Sequence, residues 1–448
     1  MENHYVYHPS GVDWLEQLPE NWNVVKWKYL SSERMMYGAN ESAELDDRDL
    51  PRYIRITDLD SQGNLKDETF KSLSYEKAKG YMLKNGDILL ARSGATVGKA
   101  YIHKGDLEAC FAGYLIRYRA NENIVNPKLV YYYTQTMLYA DWIRENTIQA
   151  TIQNVSAEKY ANLSMPVPPN QEQNNIVCFL DNKTSEIDSL IANKEKLIEL
   201  LEEKRQATIT EVVTKGLNPD VNMKDSNVDF IGQIPEHWEL KKMKNLSQIE
   251  SSNVDKKTVE NETPVLLCNY VDVYYNDEIT NKIEFMKATA KPEQIKNFTL
   301  KKNDVIITKD SESPLDIAIP TWVGEDLDGV LCGYHLALLR PKESVLNGLY
   351  LFYLLKSSQI REQFYSRANG VTRYGLSKEA IKNGLFPCPP LEEQLSIGAY
   401  LYEANNEISN GIVLIKDQIN KLKEYRQSLI YEAVTGKIDV RDYKKVLS

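Results

Sequence analysis

"SGVDWLEQLPENW" (Ser10–Trp22) returns 216 residues later as "SNVDFIGQIPEHW" (Ser226–Trp238). Seven of the thirteen positions are identical, and Trp14/Phe230, Leu15/Ile231, Leu18/Ile234 and Asn21/His237 exchange similar side chains. That period far exceeds the roughly 20–50 residues of solenoids and propellers, so a whole domain is repeated. The shared Pro19/Pro235 and Trp22/Trp238 read as a proline turn and a core tryptophan that open each copy. Two domains that read different things should differ where they touch a ligand, so these shared residues are expected to be frame.

The halves keep pace beyond this opening. "LKNGDILLARSG" from Leu83 matches "LKKNDVIITKDS" from Leu300, and "GYLIRYR" from Gly113 matches "GYHLALLR" from Gly333. Each has a short apolar run with strand propensity bounded by polar turn residues. "NPKLVYYYTQTMLYADWIREN" and "LNGLYLFYLLKSSQIREQF" carry apolar residues at helical spacing.

Each half ends in the same kind of segment. Pro168-Pro169 and Pro389-Pro390 sit just ahead of long stretches almost free of Gly and Pro. In the second half Ile408, Ile412, Ile415, Ile419, Leu422, Arg426, Leu429 and Ala433 alternate at spacings of four and three, a heptad seam interrupted by an arginine. Ile187, Ile191, Lys194, Ile198, Leu201, Arg205, Thr208 and Val212 repeat it in the first half, arginine included. Helices of about 40 residues span roughly 60 Å, too long for one domain to cover, so the two are expected to pack on each other antiparallel. An arginine in such a seam fixes register or reaches an acidic partner; a snorkelling side chain is the plainer alternative.

Composition excludes several classes. Hydrophobic content of 42% with 26% charged residues is that of an ordinary globular chain. No apolar run approaches a membrane span, and the N-terminus lacks a signal-peptide pattern, so a cytoplasmic location is expected. Five scattered cysteines make no CxxC pair and read as reduced thiols; no metal site is expected. The net charge of −10 argues against indiscriminate nucleic-acid binding while leaving room for local patches.

Catalytic boxes are missing. In "SGATVGKA" the glycines Gly94 and Gly98 have three residues between them where the phosphate loop has four, and Ala100 follows Lys99, which fails that pattern. "PVPPNQ" and "PCPPLE" lack the Asn or Asp of an amino-methyltransferase box. No His or Lys is placed to activate a nucleophile, so the chain is read as non-enzymatic.

The opening signature, "NGDILLARSGATVGKA", "PVPPNQEQNNIVCFLD" with "PCPPLEEQLSIGAYL", and the helix ends "EKRQATITEVVTKG" and "EYRQSLIYEAVTGK" together resemble type I restriction–modification specificity subunits. The resemblance covers both halves in order. It implies an α+β fold: two pseudo-symmetric, mixed α/β target-recognition domains separated by two long helices in an antiparallel coiled coil. The boundaries are 1–169 for the first recognition domain, 170–216 for the central helix, 217–387 for the second domain, and 388–448 for the C-terminal helix and tail. It further implies that each domain reads half of a bipartite, asymmetric site in double-stranded DNA while the helices set the spacer. Two modification subunits, binding S-adenosylmethionine, and two restriction subunits, using ATP and Mg, would dock on it; this chain itself would hold no cofactor.

Candidate DNA contacts are the loops that differ most within the shared frame. The first half offers Arg92, Ser93, Gly94, Thr96 and Lys99, then Thr151, Gln153 and Asn154. The second offers Lys309, Asp310 and Ser311, then Thr372, Arg373 and Tyr374. Gln and Asn pair bidentately with adenine and Arg with guanine, while glycines let backbone approach phosphate. Arg52 and Arg55 on a probable strand edge are weaker candidates. The same residue types also cap turns, and a coiled-coil interaction scaffold without DNA binding is the competing reading.

Overall fold

The structure, a computed structural model, describes residues 5–60, 63–147, 154–368, 370 and 372–443. The chain divides into two compact units, Met1–Lys194 with Asp417–Ser448, and Glu195–Lys416. The units therefore do not end at 169 and 387. Helix α1 (Asn170–Lys215) and helix α2 (Leu391–Val434) each start right after their proline pair and contribute one part to each unit. The reason is burial: Ile176 and Leu180 of α1 are buried in the first unit, whereas Ile209 and Val213 join the core of the second. Both helices stop at a glycine of positive φ, Gly216 and Gly436, as left-handed C-terminal caps require.

In the first unit the main sheet contains β1 (Met36–Tyr37), β2 (Ile88–Ala91), β3 (Ala100–Ile102) and β4 (Leu115–Tyr118), in the order β1-β4-β2-β3. The second unit has β5 (Ser247–Ser251), β6 (Glu278–Ile279), β7 (Val305–Thr308), β8 (Pro320–Val323) and β9 (Leu336–Pro341), in the order β5-β9-β7-β8-β6. The shared part has one register: Ile88 faces Tyr118 and Ala91 faces Leu115, just as Val305 faces Leu339 and Thr308 faces Leu336. All four residues of β2 and of β7 are buried, as continuous apolar central strands must be.

Buried ion pairs lock these registers. Asp87 accepts from the backbone N–H of Lys84 and from Arg119 Nε and Nη2, both at 2.6 Å. Asp304 repeats the arrangement with Lys301 and with Arg340 at 2.8 and 2.7 Å. In each unit the carboxylate beside it holds the guanidinium pKa above its usual value.

The opening signatures are frame. Trp22 and Trp238 are buried, and each donates its backbone N–H to the proline three or so residues back, Pro19 and Pro235. Trp238 Nε1 also donates to Glu393 at the start of α2 (3.1 Å), while at the start of α1 Glu172 accepts from the Tyr5 hydroxyl. One residue further on, Gln173 and Gln394 are buried. Gln173 accepts from Asn126 N and donates to Pro168 O; Gln394 accepts from Asn347 N and donates to Pro389 O. The two apolar-periodic stretches each break into two helices, Pro127–Tyr133 with Met137–Thr147 and Gly348–Lys356 with Ser358–Tyr365.

Within each unit the two helix segments run antiparallel. In the first, Lys194 donates to Gln418 and Asp188 accepts from Arg426 (2.7 and 2.8 Å), so one helix's numbers rise as the other's fall. In the second, Arg205 donates to Ser409 (2.9 Å). Ile187, Ile191, Ile412, Ile419 and Leu429 are buried; Ile198, Leu201, Arg205, Ile408, Ile415, Leu422 and Arg426 are half-buried. Flanking Leu190, Leu197, Val413 and Leu414 are exposed. The two seam arginines both reach the opposite helix, Arg426 to Asp188 and Arg205 to Ser409, and Arg205 also pairs with Glu202 on its own helix at 3.2 Å.

Candidate nucleic-acid interface

In both units the segment that leaves the central strand meets a second loop from far along the chain. After β2, Arg92 and Ser93 lead into a 3-10 turn, Gly94–Thr96, and Lys99 then enters β3. Gly94 (φ +74°) faces open space, whereas Gly98 (φ +86°) has no room for a Cβ because Ile143 packs 3.0 Å from where one would sit. Ser93 forms an antiparallel bridge with Asn154, so the structure brings these two candidates together. Thr151 and Gln153, from that same second loop, lie outside the described residues.

Side chains here are partly committed to the protein. The Arg92 guanidinium lies over the Tyr37 ring, 4.6 Å from its centroid, and its buried Nε has no hydrogen-bond acceptor among the described residues. Lys99 Nζ donates to the Asp60 carbonyl at 3.4 Å, and Thr96 is half-buried. Lys99 also lines a cleft of about 500 Å³ with Gln135, Asp188, Lys423 and Arg426. Arg52 and Arg55 are structural: Arg52 is buried and donates to Lys66 O, and Arg55 chelates buried Asp58.

The second unit builds the corresponding place with other chemistry. Asp310–Ser311 pairs antiparallel with Tyr374–Gly375, joining the two candidate loops. Lys309 Nζ sits 5.0 Å from the Tyr334 ring and donates to Ser252 O. Asp310 meets His335 Nδ1 at 3.0 Å, and Arg373 Nη2 reaches His335 at 3.1 Å (Nδ1) and 3.3 Å (Nε2). Exposed Thr372 and Arg373 stand at the rim, with Tyr374 half-buried beside them. A cleft of about 560 Å³ opens here, lined by this trio together with Ser311, Tyr270 and Tyr274. The two tyrosines stack on each other, 5.7 Å apart and 18° from parallel.

Sequence reasoning missed His335, the tyrosine pair and Tyr37. His335 had a visible signal, because "GYHLALLR" is one residue longer than "GYLIRYR" before the matched arginine. That extra residue falls where β9 begins, and His335 takes φ +75°, an uncommon conformation for a side chain other than Gly or Asn.

The site therefore consists of one frame and two sets of projecting side chains. The family model for the type I restriction modification DNA specificity domain matches residues 19–202 and again 235–423. The chain belongs to this family. Both matches include one strand-end loop pair and run into one long helix, so each half is a DNA-specificity domain. The chain is 24% identical over 437 residues to the type I restriction enzyme MjaVIII specificity subunit of Methanocaldococcus jannaschii, covering 95% of each. It is 23% identical to the EcoBI specificity subunit of Escherichia coli, covering 89% of this chain and 83% of that one. Two solved structures share the fold. One is a chain from a study of complex assembly and conformational transition of the type I R-M system (TM-score 0.72, 17% identity, 94% and 99% covered). The other is the HsdS subunit from Thermoanaerobacter tengcongensis (TM-score 0.54, 18% identity, 94% and 98% covered).

Among the described residues no group of three or more His, Cys, Asp or Glu is arranged to hold a metal ion. No helix there is long and apolar enough to cross a membrane. Cys110, Cys268, Cys332 and Cys388 are buried and unpaired; burial pushes the Cys110 thiol up to about 12, which makes it a poor nucleophile.

Proposed function

We propose that this chain is the non-catalytic specificity subunit of a type I restriction–modification system and reads a bipartite, asymmetric site in double-stranded DNA. One observation carries the reading: two domains of the same register present different side chains at the same strand-end position. Arg92, Ser93 and Asn154 stand in one, and Asp310, His335 and Arg373 in the other. A frame positions and base-edge contacts specify, so unlike side chains on like frames suit unlike half-sites. The paired helices then act as the ruler for the spacer.

Chemistry on the DNA belongs to partners in this reading. Two modification subunits would bring S-adenosylmethionine and two restriction subunits ATP and Mg, in the cytoplasm, with this chain supplying the target. The test is methylome sequencing of a host carrying the chain and its modification subunit, joined to duplex-binding measurements on the complex. A bipartite methylated motif is expected. Affinity that falls steeply with salt but shows no sequence preference at any spacing would sink the reading and leave a scaffold. A heptad inserted after Leu201, with a matching heptad in α2, lengthens the ruler by about 10 Å, roughly three base pairs. The spacer should change and both half-sites persist.

A further inference from the structure

We infer that Arg373, held by the Asp310–His335 pair, is the guanine reader of the second recognition domain. This rests on the reading that the domain binds DNA, and it names which side chain specifies a base and what base that is. Three observations converge on it. The extra residue of the second half puts His335 at the start of β9 with a left-handed backbone, aimed at the partner loop. Arg373 Nη2 lies 3.1 Å from His335 Nδ1 and 3.3 Å from Nε2, so the guanidinium rests over the imidazole, whose Nδ1 also meets Asp310 at 3.0 Å. Among the described residues the guanidinium makes no other hydrogen bond, so most of its five N–H groups are left for a ligand at the exposed mouth of the cleft.

An arginine fixed at one nitrogen and open at the rest is arranged for a bidentate contact. Guanine is the matching edge, since its N7 and O6 both accept in the major groove. His335 is a positioning residue here: it touches Arg373, not the base. Among the described residues of the first unit, Ser93 stands where Asp310 does and Tyr114 where His335 does, since the carbonyls of Tyr114 and His335 accept from the N–H of Arg92 and Lys309, so neither the carboxylate nor the imidazole is repeated there.

The experiment uses the chain in complex with its modification subunit and duplexes in which each base pair of the second half-site is replaced in turn. The wild-type complex should discriminate against replacement of one G·C pair in that half-site, and Arg373→Ala should lose that discrimination by roughly ten- to a hundredfold. Arg373→Lys keeps the charge but not the fork, so it should hold overall affinity and still lose the discrimination. His335→Ala should weaken discrimination at the same pair and add little in the Arg373→Ala background. Uniform weakening on every duplex with a shallower salt dependence would make Arg373 a phosphate contact and overturn the inference. An unchanged motif in Arg373→Ala, or a lost preference at a pair other than G·C, would overturn it as well. Both results leave a wild type that still reads a bipartite site; a wild type without sequence preference fails the broader reading instead.

Discussion

Removing Arg340 should cost far more than its place near the surface suggests. Asp304 is 1% exposed, and its carboxylate has three N–H donors: Arg340 Nε, Arg340 Nη2 and the backbone of Lys301. Arg340→Leu removes two of the three and the cation paired with it, leaving a buried charge. Breaking a buried pair from one side costs about 3–5 kcal/mol. The arginine side chain is itself 24% exposed, so water can reach the gap and the lower end, about 3 kcal/mol, is expected. Urea unfolding gives the total, and hydrogen exchange across residues 299–309 and 336–341 locates it. Because β7 leads into Lys309–Ser311 and β9 follows His335, the same variant should blur the second half-site while leaving the first intact. The Asp304→Leu/Arg340→Leu pair should be more stable than Arg340→Leu alone. A change under about 0.5 kcal/mol in Arg340→Leu, or a double variant no better than the single, would refute the argument.

The other predictions follow from similar contrasts. Arg426 and Asp188 are 27% and 46% exposed, so Arg426→Ala should cost no more than about 1 kcal/mol by urea unfolding. Arg205 already pairs with Glu202 on its own helix at 3.2 Å, so Ser409→Asp should add an acidic partner from the opposite helix, as Asp188 is for Arg426, and raise stability by a few tenths to about 1 kcal/mol in urea unfolding. Gln394→Leu should strip partners from Asn347 N, Val345 O and Pro389 O, costing about 3 kcal/mol or more and loosening the start of α2 in hydrogen exchange. Burial lowers the pKa of His103 below its ordinary 6.5, opposed by Asp106 and Asp87. The unfolded chain therefore takes up this proton first as pH falls. The stability contribution is whole above about pH 6.5 and is lost as pH drops through the lowered folded value. The melting temperature of His103→Gln should fall less than that of the wild type between pH 7 and pH 5.

The repeat made the architecture legible before any coordinate. Its tryptophans and proline pairs each name a position where only one environment serves, and both are found in it. The breaks at Thr134–Thr136 and Ser357 inside the apolar-periodic stretches were not legible, because hydroxyl residues both continue and cap helices and tertiary packing decides between them. The site was half legible. Sequence comparison found both loops of each half, since they are polar interruptions in matched strands. It could not see that Arg92 leans on Tyr37 or that Arg52 is buried, because those facts depend on residues distant in the chain.

What the two halves share and what they exchange is itself the strongest argument about how such a protein changes target. Asp87 with Arg119 and Asp304 with Arg340, and Gln173 and Gln394, are the same residue doing the same task. Each is buried or half-buried, and each would cost several kcal/mol if its partner alone were removed. The loop positions carry no such penalty: Ser93 faces Asn154 where Asp310 faces Gly375, and neither choice disturbs the strand register behind it. Stability therefore constrains the frame and leaves the rim nearly free. A one-residue lengthening, as at His335, is tolerated because it falls beyond the last ladder pair, Thr308 with Leu336, where it re-aims side chains without shifting the sheet. Moving that extra residue two positions into β9 would instead turn its buried face outward. The place where a new specificity can arise is set by where the ladder ends.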